Sequence, residues 1–105
     1  MFSCTATDDP GQMVVKMSGD LTLEHSKEIH AELLAHLHRD GSMTIDLSES
    51  TKIDLSFVQI LSALLKDPDT KIRFAPLPKH VIDTATRLGA DKLIKEISNR
   101  GEENA

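Results

Sequence analysis

The spacing of apolar residues along this chain alternates between a period of two and a period near 3.6, and each change marks a new element. MFSCTA, residues 1–6, fits a short edge strand. DDPGQ at 8–12 is a turn, because proline fixes one backbone angle and glycine frees the next. MVVKM at 13–17 is dense in strand formers and reads as the hairpin partner, ended by Gly19 and Asp20. From 22 to 39 the period is helical, with Ile29, Leu33, Leu34 and Leu37 on one stripe; Thr22, or Leu23 with Glu24, opens this helix and Asp40-Gly41 closes it. MTIDL at 43–47 alternates, with Met43, Ile45 and Leu47 on one side and Thr44 and Asp46 on the other.

The second half repeats the alternation of types. SFVQILSALLKD at 56–67 is helical, with Ile60, Leu61, Leu64 and Leu65 as its core face, and Pro68 stops it. KIRFA at 71–75 is a strand, and PLP at 76–78 a rigid loop. KHVIDTATRLG at 79–89 is a helix whose Gly89 supplies a left-handed cap. ADKLIKEIS at 90–98 is a last short helix, and NRGEENA at 99–105 a polar tail. The order β-β-α-β-α-β-α-α predicts one α/β domain over 1–98, a mixed sheet of four or five strands with helices mainly on one face.

Composition narrows the function classes. The 105 residues suit one domain with one core, and three Phe with no Trp or Tyr make that core aliphatic. A net charge of −5 argues against nucleic acid or an anionic membrane as partner. Cys4, the single cysteine, forms no internal disulfide, which suits a reducing cytoplasm. MFSCTATDDPGQ lacks the basic end and apolar block of a signal peptide, and VQILSALL is too short to span a bilayer. The expected location is the cytoplasm.

Five histidines raise the question of a metal. His25, His30, His36 and His38 lie on or near the first helix, yet no two of them are spaced i, i+4. The spacing therefore predicts no zinc site, and no cofactor is expected. Glu28, Glu32 and His36 instead form an i, i+4 ladder on an exposed face. A serine hydrolase is a remote alternative, since the G-x-S-x-G elbow is absent; neither a P-loop nor G-x-G-x-x-G occurs.

The stretch IDLSESTKIDLS, 45–56, writes IDLS twice with different consequences. The first copy ends a strand, with Ser48 in the loop beyond it. The second opens a helix: Ser56-Phe57-Val58-Gln59 matches the S-x-x-Q capping box, and Asp54 adds negative charge near the helix start. With Ser56 as the cap, Leu55 precedes it and could pack on Ile60 as a hydrophobic staple, or stand out as an anchor for a partner. Phe57 and Val58 could be core or exposed anchors.

These segments together resemble the STAS domain, the fold of bacterial anti-sigma factor antagonists. MSGDLTLEHSKEIHAELLAHL is similar to the family's G-x-L segment leading into the first helix, and MTIDLS to its central strand. TKIDLSFVQIL resembles the helix start written D-S-S/T-G-L in many members, and KIRFAPLPKHVIDTATRLGADKLI the last strand and C-terminal helices. The resemblance runs over about residues 12–97 and implies a non-enzymatic regulator that binds another protein. For the anti-sigma factor antagonists that partner is a serine kinase that also sequesters a sigma factor. It phosphorylates the hydroxyl residue immediately after the aspartate. Here Asp54 matches that aspartate, Leu55 stands at the phosphorylated position, Ser56 matches the second hydroxyl, and Phe57 replaces the usual glycine. Ser56 is the candidate phosphoacceptor, with a simple cap as its alternative role. Other STAS modules accompany chemotaxis proteins or brace the ATPase of lipid-trafficking ABC transporters, so a chemotaxis protein and a transporter ATPase are the alternative partners. The resemblance places the partner-binding surface on Ser48, Glu49, Ser50, Thr51, Lys52, Asp54, Leu55, Ser56, Phe57, Pro76, Leu77 and Pro78.

Overall fold

The computed structural model describes residues 2–9, 12–37, 42–67 and 70–102. Phe2–Asp9 (β1) and Gln12–Leu21 (β2) form the expected antiparallel hairpin, with Phe2 opposite Gly19 and Asp9 opposite Gln12. Its turn residues Pro10 and Gly11 lie outside the described residues. β2 does not stop at Gly19. That glycine takes φ +83°, open to it because it lacks a Cβ, and the pairing shifts register between Gly19 and Asp20.

The shift gives β2 two neighbours on the side away from β1. Residues 14–16 pair in parallel with Ser42–Asp46 (β3), while Gly19, Asp20 and Leu21 pair in parallel with Ser50–Ile53 (β4). The loop expected beyond the first IDLS is therefore strand from Ser50 to Ile53. A tight turn, closed by Ser50 N–H donating to the Leu47 carbonyl at 3.0 Å, returns the chain to the edge of β2. Lys71–Phe74 (β5) completes the sheet, parallel to β3, in the order β1-β2-β3-β5 with β4 on β2. The result is a mixed five-stranded sheet in one α/β domain, within the expected architecture.

Alternation along the strands sorts the two faces. Val15, Met17 and Leu21 of β2, Met43 and Ile45 of β3, and Ile72 and Phe74 of β5 are buried together. Lys71 and Arg73 of β5 are exposed on the other face. Among the described residues four helices cover the apolar face: Ser26–His36 (α1), Leu55–Leu65 (α2), Lys79–Arg87 (α3) and Asp91–Glu102 (α4). α2 contributes most, burying Phe57, Val58, Leu61, Leu64 and Leu65. Complete burial of such a side chain stabilises by about 1.5–3 kcal/mol. Phe57 and Val58 are thus core residues.

Helix ends differ from expectation in ways that have local causes. α1 begins later than 22, after a 3-10 turn at Leu23–His25, and ends at His36, with Leu37 already extended. Only Ile29 and Leu33 of α1 are buried; Leu34, turned 100° from Leu33, is 51% exposed. The stops expected at Asp40-Gly41 and Pro68 lie outside the described residues. α3 ends as predicted. Gly89 has φ +78°, its N–H donates to Thr86 O at 3.0 Å, and Ala90 N–H donates to Ala85 O at 2.9 Å, the two bonds of a Schellman motif. The backbone of α4 continues to Glu102, so residues 99–102 are helix rather than tail; 103–105 lie outside the described residues.

Candidate functional site

The second IDLS does open a helix, but Asp54 rather than Ser56 is its cap. Asp54 has extended backbone angles, and its carbonyl accepts the first helical bond from Val58 N–H at 3.2 Å. Its Oδ1 accepts from Ser56 N–H at 3.0 Å, Phe57 N–H at 3.4 Å and the Ser56 hydroxyl at 2.5 Å. Two good capping residues compete in Asp-Leu-Ser, and the longer-range bond explains the winner. Asp54 Oδ2 also accepts from Leu23 N–H at 2.9 Å, at the start of the 3-10 turn that leads into α1. One carboxylate therefore satisfies free N–H groups of two helical segments. Partial burial pushes the Asp54 carboxyl up, but the bonds from Ser56, Leu23 and Phe57 outweigh it and hold it below the ordinary aspartate value.

Moving the cap to Asp54 moves the staple as well. The residue before the cap is Ile53 and its staple partner is Val58, both buried. Leu55 becomes the first helical residue and is 50% exposed, so it does not serve as a staple on Ile60. Leu23 is 69% exposed. Two leucines thus stand in solvent at the two backbone segments that Asp54 joins. Beside them a groove of about 400 Å³ runs between α1 and α2, lined in part by Leu23, Lys27, His30, Ser56, Gln59 and Ile60. Gln59 faces this groove, and the reciprocal half of the expected capping box does not form with Ser56 as cap.

The remaining expected residues divide into exposed and buried sets. Ser48 N–H donates to Asp46 Oδ1 at 2.8 Å; burial pushes the Asp46 carboxyl up, but Ser48, with Lys16, keeps it below its usual value. Glu49 pairs with Lys16 at 3.5 Å, and the Thr51 hydroxyl donates to Asp20 Oδ1 at 2.8 Å, which lowers the Asp20 carboxyl. Lys52 and Pro76 are exposed, and Leu77 and Pro78 half-buried. Ser50 and Phe57 are corrected: both are buried, Phe57 completely, and neither offers a surface to a partner. Phe57 fills the core under the first turn of α2. Ser50 is held by the turn, its hydroxyl donating to Leu47 O at 2.6 Å.

His80, in the first turn of α3, escaped the sequence reading. Its Nε2 lies 2.8 Å from Ser50 O and 3.1 Å from Ser50 Oγ. The carbonyl can only accept, so Nε2 carries the proton and donates. It is then no base for Ser50, and the pair ties α3 to β4 instead of forming a nucleophile. The Ser56 hydroxyl likewise donates to Asp54. Because β3 and β5 are parallel, the turn after β3 and the 76–78 loop leave the same end of the sheet. The start of α2 follows β4 beyond that end. No helix of the described residues is long and apolar enough to cross a membrane.

A mixed sheet on a hairpin, a capped helix start after a short parallel strand, and two C-terminal helices define a STAS-type domain. The family model described as Mlab, STAS domain, matches residues 4–95, and the chain belongs to the STAS family. Among solved structures it is similar to an anti-sigma factor antagonist from Mycobacterium paratuberculosis, with TM-score 0.74 and 19% identity over 88% of this chain and 81% of that one. It is similar also to the anti-sigma factor antagonist SpoIIAA in its unphosphorylated form, with TM-score 0.55 and 14% identity over 85% and 84% of the two chains. An antisigma-factor antagonist STAS domain from Rhodobacter sphaeroides aligns at TM-score 0.53 and 21% identity, over 70% of this chain and 85% of that one. At these identities the structural likeness establishes the shared fold. A search of curated proteins finds no match.

Proposed function

We propose that this STAS domain is a non-enzymatic, cytoplasmic regulator of the anti-sigma factor antagonist type, which docks on a protein partner through the start of α2 and the groove beside it. The observation that carries this reading is the pair of solvent-exposed leucines, Leu23 and Leu55, held on either side of the Asp54 carboxylate. Apolar side chains on a rigid, hydrogen-bonded platform are what a partner's apolar surface can cover with little loss of entropy. The partner class is a serine kinase that sequesters a sigma factor, and Ser56 is the acceptor of the switch. Its hydroxyl now donates to Asp54. A phosphate there removes that donor and sets a charge of about −2 against a carboxylate, which opens the cap and reshapes the docking surface.

The test is a binding panel of the serine-kinase anti-sigma factors of the source genome against the purified domain, by calorimetry, followed by mass spectrometry after adding ATP. One kinase should bind, modify Ser56, and bind Ser56→Asp at least about tenfold more weakly, or 1.4 kcal/mol. Absence of binding to every kinase in the panel sinks the reading.

Leu55 favours a second reading. It occupies the position that carries the phosphate in the resembled family, and it has no group to phosphorylate. A partner that docks there is then bound without that switch, as a chemotaxis component or a transporter ATPase would be. The same panel extended to those proteins separates the two: binding that ATP and kinase leave unchanged selects the unswitched partner.

A further inference from the structure

We propose that Cys4, Glu32 and His36 form a binding site for a borderline-soft divalent transition metal, with Zn²⁺ as the best match. Histidine spacing alone predicts no such site, because the thiol comes from β1 and the other two ligands from α1. Glu32 and His36 lie one turn apart, with Nε2 3.1 Å from Oε2. Cys4 faces the packed side of β1, so its Sγ reaches the same spot. The three ligand atoms, Sγ, a carboxylate oxygen and a ring nitrogen, all lie within 4.8 Å of one another.

Bonds of about 2.0–2.3 Å in a tetrahedron place neighbouring ligand atoms about 3.5 Å apart. Closing the site therefore needs shifts of about 1 Å in side chains with free rotors. A sulfur, nitrogen and oxygen set suits Zn²⁺ and disfavours Mg²⁺ or Ca²⁺, which take oxygen ligands. Three protein ligands leave one position for water or an incoming ligand. All three residues are half-buried, which leaves a path for the ion.

Burial, and then the Glu32 carboxylate that the thiol faces, push the Cys4 thiol up to about 11, so the metal-free thiol is protonated at neutral pH. Metal binding replaces the S–H bond with an S–metal bond and releases that proton to solvent. The ion then cross-links β1 to α1.

The probe is Co²⁺, followed by Zn²⁺, titrated into tag-free, reduced, chelator-stripped protein. The expected result is a thiolate-to-cobalt charge-transfer band that saturates at one equivalent and is bleached by Zn²⁺. Cys4→Ser should abolish the band, Glu32→Gln and His36→Ala should weaken binding at least about tenfold, and His30→Ala should leave it unchanged. Zn²⁺ should raise the melting temperature of the wild type and of His30→Ala, and leave that of Cys4→Ser unmoved. No thiolate band, or a band that survives both Glu32→Gln and His36→Ala, overturns the proposal. So does equal Zn²⁺ affinity in wild type and Cys4→Ser, which would put the ion on surface histidines. Should Cys4→Ser fail to fold, the Glu32→Gln and His36→Ala double variant decides, because both side chains are partly exposed.

Discussion

α1 and α2 have the same length, eleven residues, but are held in opposite ways. α2 is anchored from below by five buried side chains and from its start by its own cap, Asp54. α1 buries two, Ile29 and Leu33, and its N-cap residue His25 makes no side-chain capping bond. Neither does Thr22, the cap residue of the 3-10 turn before it. What α1's lead-in lacks locally it takes from α2, through Leu23 N–H on Asp54. One surface carboxylate thus sets both how α2 begins and where the lead-in to α1 lies. The groove between the helices, lined in part by Leu23, and the position of Leu55 at the start of α2 depend on that node.

The largest effect expected is in the anchored helix. Phe57→Ala removes a fully buried ring and should cost about 3–5 kcal/mol in urea unfolding. Leu34→Ala on α1 removes a half-exposed side chain and should stay within about 0.5 kcal/mol. If the two substitutions cost the same, the division of labour between the helices is wrong.

Next in size is the node itself. Asp54→Ala leaves N–H groups at the starts of both segments without their acceptor and should cost about 2 kcal/mol, the upper range for a cap. Thr22→Ala, by contrast, should cost at most a few tenths, about 0.5 kcal/mol. Hydrogen exchange gives the sharper reading: in Asp54→Ala the amides of Phe57 and Leu23 should lose protection together. Loss at Phe57 with Leu23 unchanged would show that α1's lead-in is held by something else.

Smaller again is the acid response. The folded-state Asp54 carboxyl lies below its unfolded value, so the ionised form is the one the fold favours. Its contribution is complete above about pH 5, past the unfolded value near 3.9. It is lost as pH falls through the lower folded value. Asp54→Asn keeps an oxygen acceptor and removes this titration. Urea midpoints measured from about pH 6 down to about pH 3 should fall less steeply in Asp54→Asn than in the wild type. Parallel curves would assign the acid response to other carboxylates, such as Asp46 and Asp20, which are also lowered.

Elements with an uninterrupted period were legible in the sequence, and the sites between them were less so. Met43, Ile45, Ile72 and Phe74 alternate and are buried as expected, and Gly89 marks the end of α3 by the one conformation its neighbours avoid. β4 was not legible. Four residues, Ser50–Ile53, with a serine among the inward positions, carry too little pattern; pairing with β2 past the Gly19 shift makes them a strand. Asp54, Leu55 and Ser56 could be picked out because caps and helix starts are local. Which of Asp54 and Ser56 caps could not, since Leu23 decides it from 31 residues away. His80 reaches Ser50 across 30 residues and left no local trace. Cys4 meets Glu32 and His36 only because β1 folds under α1.

At Leu55 a small change in stability is expected to go with a large change in binding. As the first residue of α2 it sits on the anchored helix yet is half in water, like Leu23 on the lightly held side. Complete burial of a leucine is worth about 1.5–3 kcal/mol, so Leu55→Ser should lower stability by less than about 1 kcal/mol. Serine at the first helical position costs little backbone preference and leaves Asp54 as the cap. The same substitution removes the apolar surface that a partner would cover. On the proposed docking mode, affinity should fall about tenfold, or 1.4 kcal/mol, with stability almost unmoved. Leu23→Ser should act the same way from the other side of Asp54. A Leu55→Ser protein that loses more than about 2 kcal/mol of stability would mean that the side chain is packed by the domain itself. Unchanged affinity in both variants would move the docking surface away from the Asp54 node.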